Sequence, residues 1–300
     1  MTDINNQHFA FVAVLGAPNA GKSTLVNRLV GAKISIVSPK VQTTRSRIRG
    51  IFVEDDTQLI LVDTPGIFKP GRRLDRAMVA SAWTEAEESD LRMLLVDAVK
   101  GIDKNTQSII ANLKNNKQRC ILVINKIDLI TKDKLLPLIA SLNKADIFTE
   151  TFLISAETGE NVEELKKHLI SKAPKGMWMY PDDQLTDLPN RLFAAEITRE
   201  KLFMALQQEL PYSVAVQTTA FKEQKNGIRI EQTIYVEREG QKSIVLGKNG
   251  QMIKKVGERA RYELSKLFET PVHLFLFVKV KENWVEDQSQ YSDWGLDFNA

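Results

Sequence analysis

Four nearly unbroken apolar runs punctuate the first half of the chain, at residues 9–15, 59–62, 93–96 and 120–124. Strands without a polar face belong in a sheet covered on both sides. Residues 152–154 give a shorter fifth run, and the stretches 23–30, 74–89 and 106–115 between the runs are long enough for crossover helices. The alternation predicts an α/β domain with a doubly wound, mostly parallel sheet. Val162, Leu165 and Leu169 recur at helical spacing and close it, so this domain is expected over residues 8–174.

The pattern then breaks. Gly176, Pro181, Asp182, Asp183 and Pro189 interrupt regular structure and mark residues 175–190 as a linker. Beyond it the spacing predicts a helix over 191–210 and two strands over 213–221 and 228–236, joined as a hairpin through Lys225-Asn226-Gly227. Met252, Ile253, Val256, Ala260, Leu264, Leu267 and Phe268 then follow a helical period, and Val272, Leu274, Leu276, Val278 and Val280 alternate as a strand does. A smaller α+β domain over 191–283 results. The tail, 284–300, mixes acids with Trp284, Tyr291, Trp294 and Phe298 and is expected to be mobile.

Length and composition agree with two globular cores: 300 residues, 43% hydrophobic and 26% charged. One cysteine, Cys120, permits no internal disulfide, and His8, His168 and His273 are too dispersed for a local zinc pair. The start carries no signal-peptide pattern and no run approaches a membrane span, so a cytoplasmic protein is expected. The net charge of +3 is too small to identify a partner, so only its distribution carries information.

Candidate chemistry begins where the first strand ends. Gly16-Ala17-Pro18-Asn19-Ala20-Gly21-Lys22-Ser23 matches G-x-x-x-x-G-K-[ST] between a strand and a helix that continues through Thr24. Such a loop curls its N–H groups around phosphate oxygens, with Lys22 adding a cation and Ser23 a hydroxyl for Mg²⁺. Asp63-Thr64-Pro65-Gly66 starts at the end of a second run, which puts Asp63 at the sheet's carboxyl edge. There its carboxylate can hold Mg²⁺ and the Gly66 N–H can approach the terminal phosphate.

Asn125-Lys126-Ile127-Asp128 follows a third run and selects the base. A carboxylate at Asp128 accepts from both N1–H and the N2 amine of guanine, neither of which adenine has. At about 1.5–3 kcal/mol per charge-assisted bond, losing both costs a factor of a hundred or more, so GTP is expected over ATP. Asn125 and Lys126 are expected to brace the phosphate loop and cover the base. Ser155-Ala156, after the fifth strand, can offer an N–H to guanine O6.

With Gln42-Thr43-Thr44-Arg45 between the first two motifs, the set resembles the translation-factor-like GTPases, in the branch containing TrmE, Era and Der. The resemblance implies that the loop around Thr44 is a switch and that Thr44 joins Ser23 and Asp63 on Mg²⁺, with Thr43 a close competitor. It also implies that Asn19 helps hold a K⁺ ion near the phosphates. Lys22, Asn19, Thr44 and Gly66 are the catalytic candidates. Ile67 occupies the place where Ras-like enzymes carry a water-orienting glutamine, which an aliphatic side chain cannot replace. Slow, potassium-stimulated hydrolysis is the expectation.

In the second domain Gly247-Lys248-Asn249-Gly250 precedes the helical pattern, a G-x-x-G loop able to pass close to a sugar-phosphate backbone. Arg238, Lys242, Lys248, Lys254, Lys255, Arg259, Arg261 and Lys266 stand against only Glu239, Glu258 and Glu263 over this stretch, whereas residues 181–300 as a whole carry 16 Lys and Arg against 18 Asp and Glu. Lys242, Ile244, Gly247, Lys248, Asn249, Gly250, Lys254 and Lys255 are the candidate RNA contacts, for about four single-stranded nucleotides. The order of the two domains resembles the Era family over nearly the whole chain. That resemblance implies a type II KH domain, a grip on the 3′ end of small-subunit ribosomal RNA during subunit assembly, a monomer, and peripheral association with the inner membrane. An RNA-modifying GTPase and an RNA adaptor with a merely structural nucleotide site are the competing readings.

Overall fold

The computed structural model describes residues 6–38, 40, 44–45, 47–207 and 210–300. Two compact units emerge. The first combines the chain up to Ser35 with Thr44–Asp187 and Ser292–Ala300, and the second combines Ile36–Thr43 with Leu188–Tyr291.

In the first unit the elements run β1 (His8–Gly16), α1 (Lys22–Val30), β2 (Ile48–Glu54), β3 (Thr57–Asp63), α2 (Arg73–Glu88), β4 (Leu91–Asp97), α3 (Lys104–Asn115), β5 (Cys120–Asn125), α4 (Lys132–Asn143), β6 (Phe148–Ile154) and α5 (Val162–Lys172). The sheet order is β2-β3-β1-β4-β5-β6. The apolar runs form its parallel centre because helices cover both faces, and every side chain of β3 and β5 is buried. Pairing aligns Val14 with Asp63 and Asp97 with Asn125, so the chemistry-bearing strand ends meet along one carboxyl edge.

β2 lies outside the expected pattern. It pairs antiparallel with β3 through a tight turn in which Asp55 takes a positive φ, and its Arg49 and Gly50 dilute the apolar signal that marks the central strands. α4 was equally unmarked, with lysines and Pro137 in its sequence. The expected linker also divides differently. Residues 175–187 belong to the first unit, because Gln58 binds the backbone of Met179 and Tyr180, Trp178 Nε1 donates to Asp56 O at 3.3 Å, and Ile51 N donates to Leu185 O at 2.9 Å.

The second unit contains α6 (Asn190–Ala205), β7 (Val214–Gln224), β8 (Gly227–Val236), α7 (Glu239–Leu246), α8 (Gln251–Leu267), β9 (Val272–Val280) and α9 (Gln288–Asp293). β7 and β8 form the hairpin, and β9 joins β8 in parallel. Val256, Ala260 and Leu264 of α8, four residues apart, face the sheet as the period predicts. α6 stops at Ala205, five residues short of expectation, since Leu206 is extended. Ile244, Val245 and Leu246, just before the G-x-x-G loop, are the end of a further helix, α7.

The tail is packed where mobility was expected. Trp284 is fully buried with Nε1 donating to Ser213 O at 3.2 Å, and the buried Tyr291 donates to Val285 O at 2.9 Å. In the first unit the Trp294 ring lies 5.8 Å from the Arg45 guanidinium, and Phe298 lies 4.5 Å from that of Arg73. Its aromatic side chains bury enough apolar surface to hold it.

Candidate functional site

The phosphate loop follows β1 and ends at the N-terminus of α1. Asn19 takes φ 65°, and Gly21 takes φ 98°, where an added Cβ would sit 2.2 Å from Asn125 Nδ2. Only glycine fits there. Lys22 is 6% exposed, and its Nζ donates to Gly16 O and Ala17 O at 3.2 and 3.1 Å. Burial pushes this ammonium down to about 8, with the Asp63 carboxylate pulling the other way.

Beside it three oxygens converge. Ser23 Oγ donates to Asp63 Oδ2 at 2.7 Å, Thr44 Oγ1 donates to the same oxygen at 3.2 Å, and the two hydroxyls lie 3.1 Å apart. Asp63 Oδ1 and Ser35 Oγ are buried without a hydrogen bond of good geometry among the described residues. Burial raises the Asp63 carboxyl, opposed in turn by Ser23, Lys22, Ser35 and Thr44. A compact set of hard oxygen donors around an under-satisfied buried carboxylate suits Mg²⁺. Gln42 and Thr43 lie outside the described residues.

The second strand end is drawn in tightly. Thr64 Oγ1 donates to Val14 O at 2.7 Å, Ile67 N donates to Gly16 O at 3.1 Å, and a Cβ on Gly66 would meet Pro18 at 3.0 Å. The Ile67 side chain is buried in the core with Leu15, Ala82 and Ala98. An aliphatic group turned into the core cannot orient water.

Asn125 ties the base and phosphate loops together. Its Nδ2 donates to Ala20 O at 2.9 Å and its Oδ1 accepts from Ala156 N at 2.8 Å. Lys126, at φ 68°, sends Nζ to Asn19 O at 2.8 Å and to Asp97 at 2.6 Å. Ile127 and Asp128 occupy a 3₁₀ turn with Asp128 exposed. Ser155 is buried and closes its own loop, accepting at Oγ from Thr158 N at 3.1 Å. Thr24 lies in the first turn of α1.

The sequence reading missed Asp97, whose signal was present: like Asp63, it ends an apolar run. Arg28, which donates to Ala156 O and Glu157 O, gave no signal, because its partners are backbone atoms 128 and 129 residues away.

In the second unit Gly247 takes φ 71°, where a Cβ would lie 2.6 Å from Met252 Cβ, and Asn249 and Gly250 are also left-handed. A groove of about 440 Å³ opens beside the loop, lined by Met204, Ala205, Gly247, Lys248, Gln251, Met252, Lys255 and Arg259. Met204 on α6 and Met252 on α8, together with the cations Lys248, Lys255 and Arg259, suit unpaired bases and their phosphates. Of the other candidates, Lys242 pairs with Glu239 at 3.7 Å, Ile244 is 57% exposed, and Lys254 is exposed on α8. Met204 and Ala205 gave no sequence signal. Their end of α6 is held by Lys40, whose Nζ donates to Phe203 O and Leu206 O, while Ile36 is buried against Phe193 and Ile197.

Comparison with known proteins accounts for both units. A family described as 50S ribosome-binding GTPase matches residues 11–126, and one described as KH domain matches residues 209–285. GTPase Era of Sinorhizobium medicae is 55% identical over 289 residues, covering 96% of this chain and 93% of the relative. GTPase Era of Caulobacter vibrioides is 52% identical and both chains are covered completely. Among solved structures, a variant of Aquifex aeolicus Era bound to GDP and aluminium fluoride superposes with TM-score 0.91 at 40% identity, covering 96% of this chain and 99% of that one. An Era complex with MgGDPNP and nucleotides 1506–1542 of 16S ribosomal RNA gives TM-score 0.91 at 40% identity, covering 97% and 99%. A P-loop GTPase unit followed by a KH unit, with identity above one half along nearly the whole length of curated relatives, places the chain in the Era family of GTPases.

Proposed function

We propose that this chain binds GTP with Mg²⁺ at the carboxyl edge of its first sheet, hydrolyses it slowly, and grips the 3′ end of small-subunit ribosomal RNA through its KH groove to assist subunit assembly. One observation carries the nucleotide reading: the hydroxyls of Ser23 and Thr44 converge on Asp63 beside the buried Lys22 ammonium. The solved Era complex containing both a GTP analogue and 16S RNA supports joining the two activities in one chain.

Ser23, Thr44 and Asp63 would hold Mg²⁺, which when bound neutralises charge on the β- and γ-phosphates. Lys22 and the loop N–H groups orient the same phosphates, and the Gly66 N–H faces the terminal one. Asn125 keeps the phosphate and base loops in register while Asp128 reads guanine. With Ile67 turned into the core and no evident general base among the described residues, acceleration rests on positioning and electrostatics for in-line attack by water. Asn19, in its left-handed conformation, would help hold K⁺. Hydrolysis is therefore expected to run faster in potassium than in sodium buffer, with the difference lost in Asn19→Ala, and equal rates for the wild type would remove the K⁺ role.

The chain acts as a monomer in the cytoplasm in this reading, and contact with the inner membrane is proposed from the family resemblance alone. No described helix is long and apolar enough to cross a membrane. Single-turnover GTP hydrolysis by wild type and Lys22→Ala, with and without small ribosomal subunits, tests the proposal. Turnover that rises with subunits and vanishes in the variant is expected; none under any condition would favour the adaptor.

A further inference from the structure

The KH sheet buries one face and leaves the β9 side of the other exposed, while Thr233 and Ala215 on that outer face are buried. Ile230, Ile234 and Val236 of β8 point inward with Leu274, Leu276 and Val278 of β9. The alternate positions point outward, and on β9 two of them are large and apolar: Phe275 is 41% exposed and Phe277 is 49% exposed. An outward strand position is ordinarily polar, so two successive exposed rings form a surface feature that the fold does not require.

Their surroundings are basic. Arg229 stands on the neighbouring strand with its guanidinium 4.4 Å from the Phe275 ring, and Lys222 is paired with it across the hairpin. Lys279 follows Phe277 at the next outward position. Lys281 lies 5.5 Å from the Tyr235 ring and is ion-paired with Asp287, and Arg229 is ion-paired with Glu231 at 2.6 Å. Four cations against two carboxylates around exposed rings select a ligand that combines flat π-faces with an anionic chain.

We propose that this open face is a second contact for single-stranded RNA, with Phe275 and Phe277 each stacking on a splayed base while Lys222, Arg229 and Lys279 meet the adjoining phosphates. The inference rests on the RNA reading of the Gly247–Gly250 loop and extends it. Residues two apart on a strand are about 6.8 Å apart, twice the roughly 3.4 Å rise of a stacked strand, so each ring takes its own unstacked base. β9 is an edge strand of the sheet, and α7, which leads into Gly247, packs against it. A strand leaving the loop reaches the open face around that edge. The loop itself accommodates about four nucleotides, so only a longer strand engages both.

Fluorescence anisotropy of the full chain with labelled single-stranded RNAs of about 5 and about 14 nucleotides tests this, the lengths bracketing the four-nucleotide loop site. Phe275→Ala combined with Phe277→Ala is expected to weaken the longer RNA by about tenfold or more and leave the shorter one unchanged, while Phe277→Tyr keeps wild-type affinity for both. Lys279→Glu, which removes no apolar group, should also weaken only the longer RNA. Equal binding of the longer RNA by wild type and both variants would overturn the proposal, as would a wild type that holds both lengths equally. Lys248→Glu reports separately on the loop: unchanged binding of the short RNA in that variant would sink the loop reading, while the phenylalanine variants still decide the sheet.

Discussion

Replacing Asn125 by alanine should damage this molecule more than any single contact to the nucleotide would suggest. The amide is 2% exposed and satisfies two backbone groups from different loops, Ala20 O at 2.9 Å and Ala156 N at 2.8 Å, whose residues are each 1% exposed. Truncation leaves a buried carbonyl and a buried N–H without partners, at about 1–3 kcal/mol each, or about 2–6 kcal/mol together. That is a large share of the 5–15 kcal/mol typical of a domain. Water entering the gap would place the outcome at the low end. Urea unfolding of the nucleotide-free chain, followed by hydrogen exchange at the β5 amides, should report a loss in that range, and GTP affinity should fall at least tenfold because the two loops are no longer held in register. Asn143→Ala, at an exposed position, is the control and should stay within about 0.5 kcal/mol. A loss below about 0.5 kcal/mol for Asn125→Ala as well would refute the bridging argument.

Other expectations follow from single side chains. Asp128→Asn should weaken GTP by about a hundredfold and bring the ATP and GTP affinities together, measured by competition with a fluorescent nucleotide; a retained preference would move base reading elsewhere. The Lys22 ammonium is lowered to about 8 from 10.5, so between those values the unfolded chain binds the extra proton and stability of the nucleotide-free chain rises with pH. Lys22→Met should lack that rise in urea titrations from pH 8 to pH 10.5. Burial pushes the Cys120 thiol up to about 12, so it should resist a thiol reagent in the folded chain and react once urea unfolds it; rapid labelling of the native chain would contradict its placement in β5.

The features legible in the residue pattern are local ones. Apolar runs named the buried parallel strands, the lengths between them placed α1, α2 and α3, helical periods named α5 and α8, and short motifs placed Lys22, Asp63, Asn125 and the G-x-x-G loop, because a phosphate loop or a tight helix entry depends on residues adjacent in the chain. Tertiary structure decided whatever depends on atoms distant in sequence. β2 forms because β3 offers it an edge, residues 175–187 are held by Gln58, and α6 ends where Leu206 turns away. Arg28, Asp97, Lys40, Met204 and the outward rings of β9 acquire their roles from neighbours dozens to more than a hundred residues away. For Arg28 and Lys40 the partners are backbone carbonyls, which accept equally well whatever side chain the residue carries, so no residue pattern announces them before the chain folds.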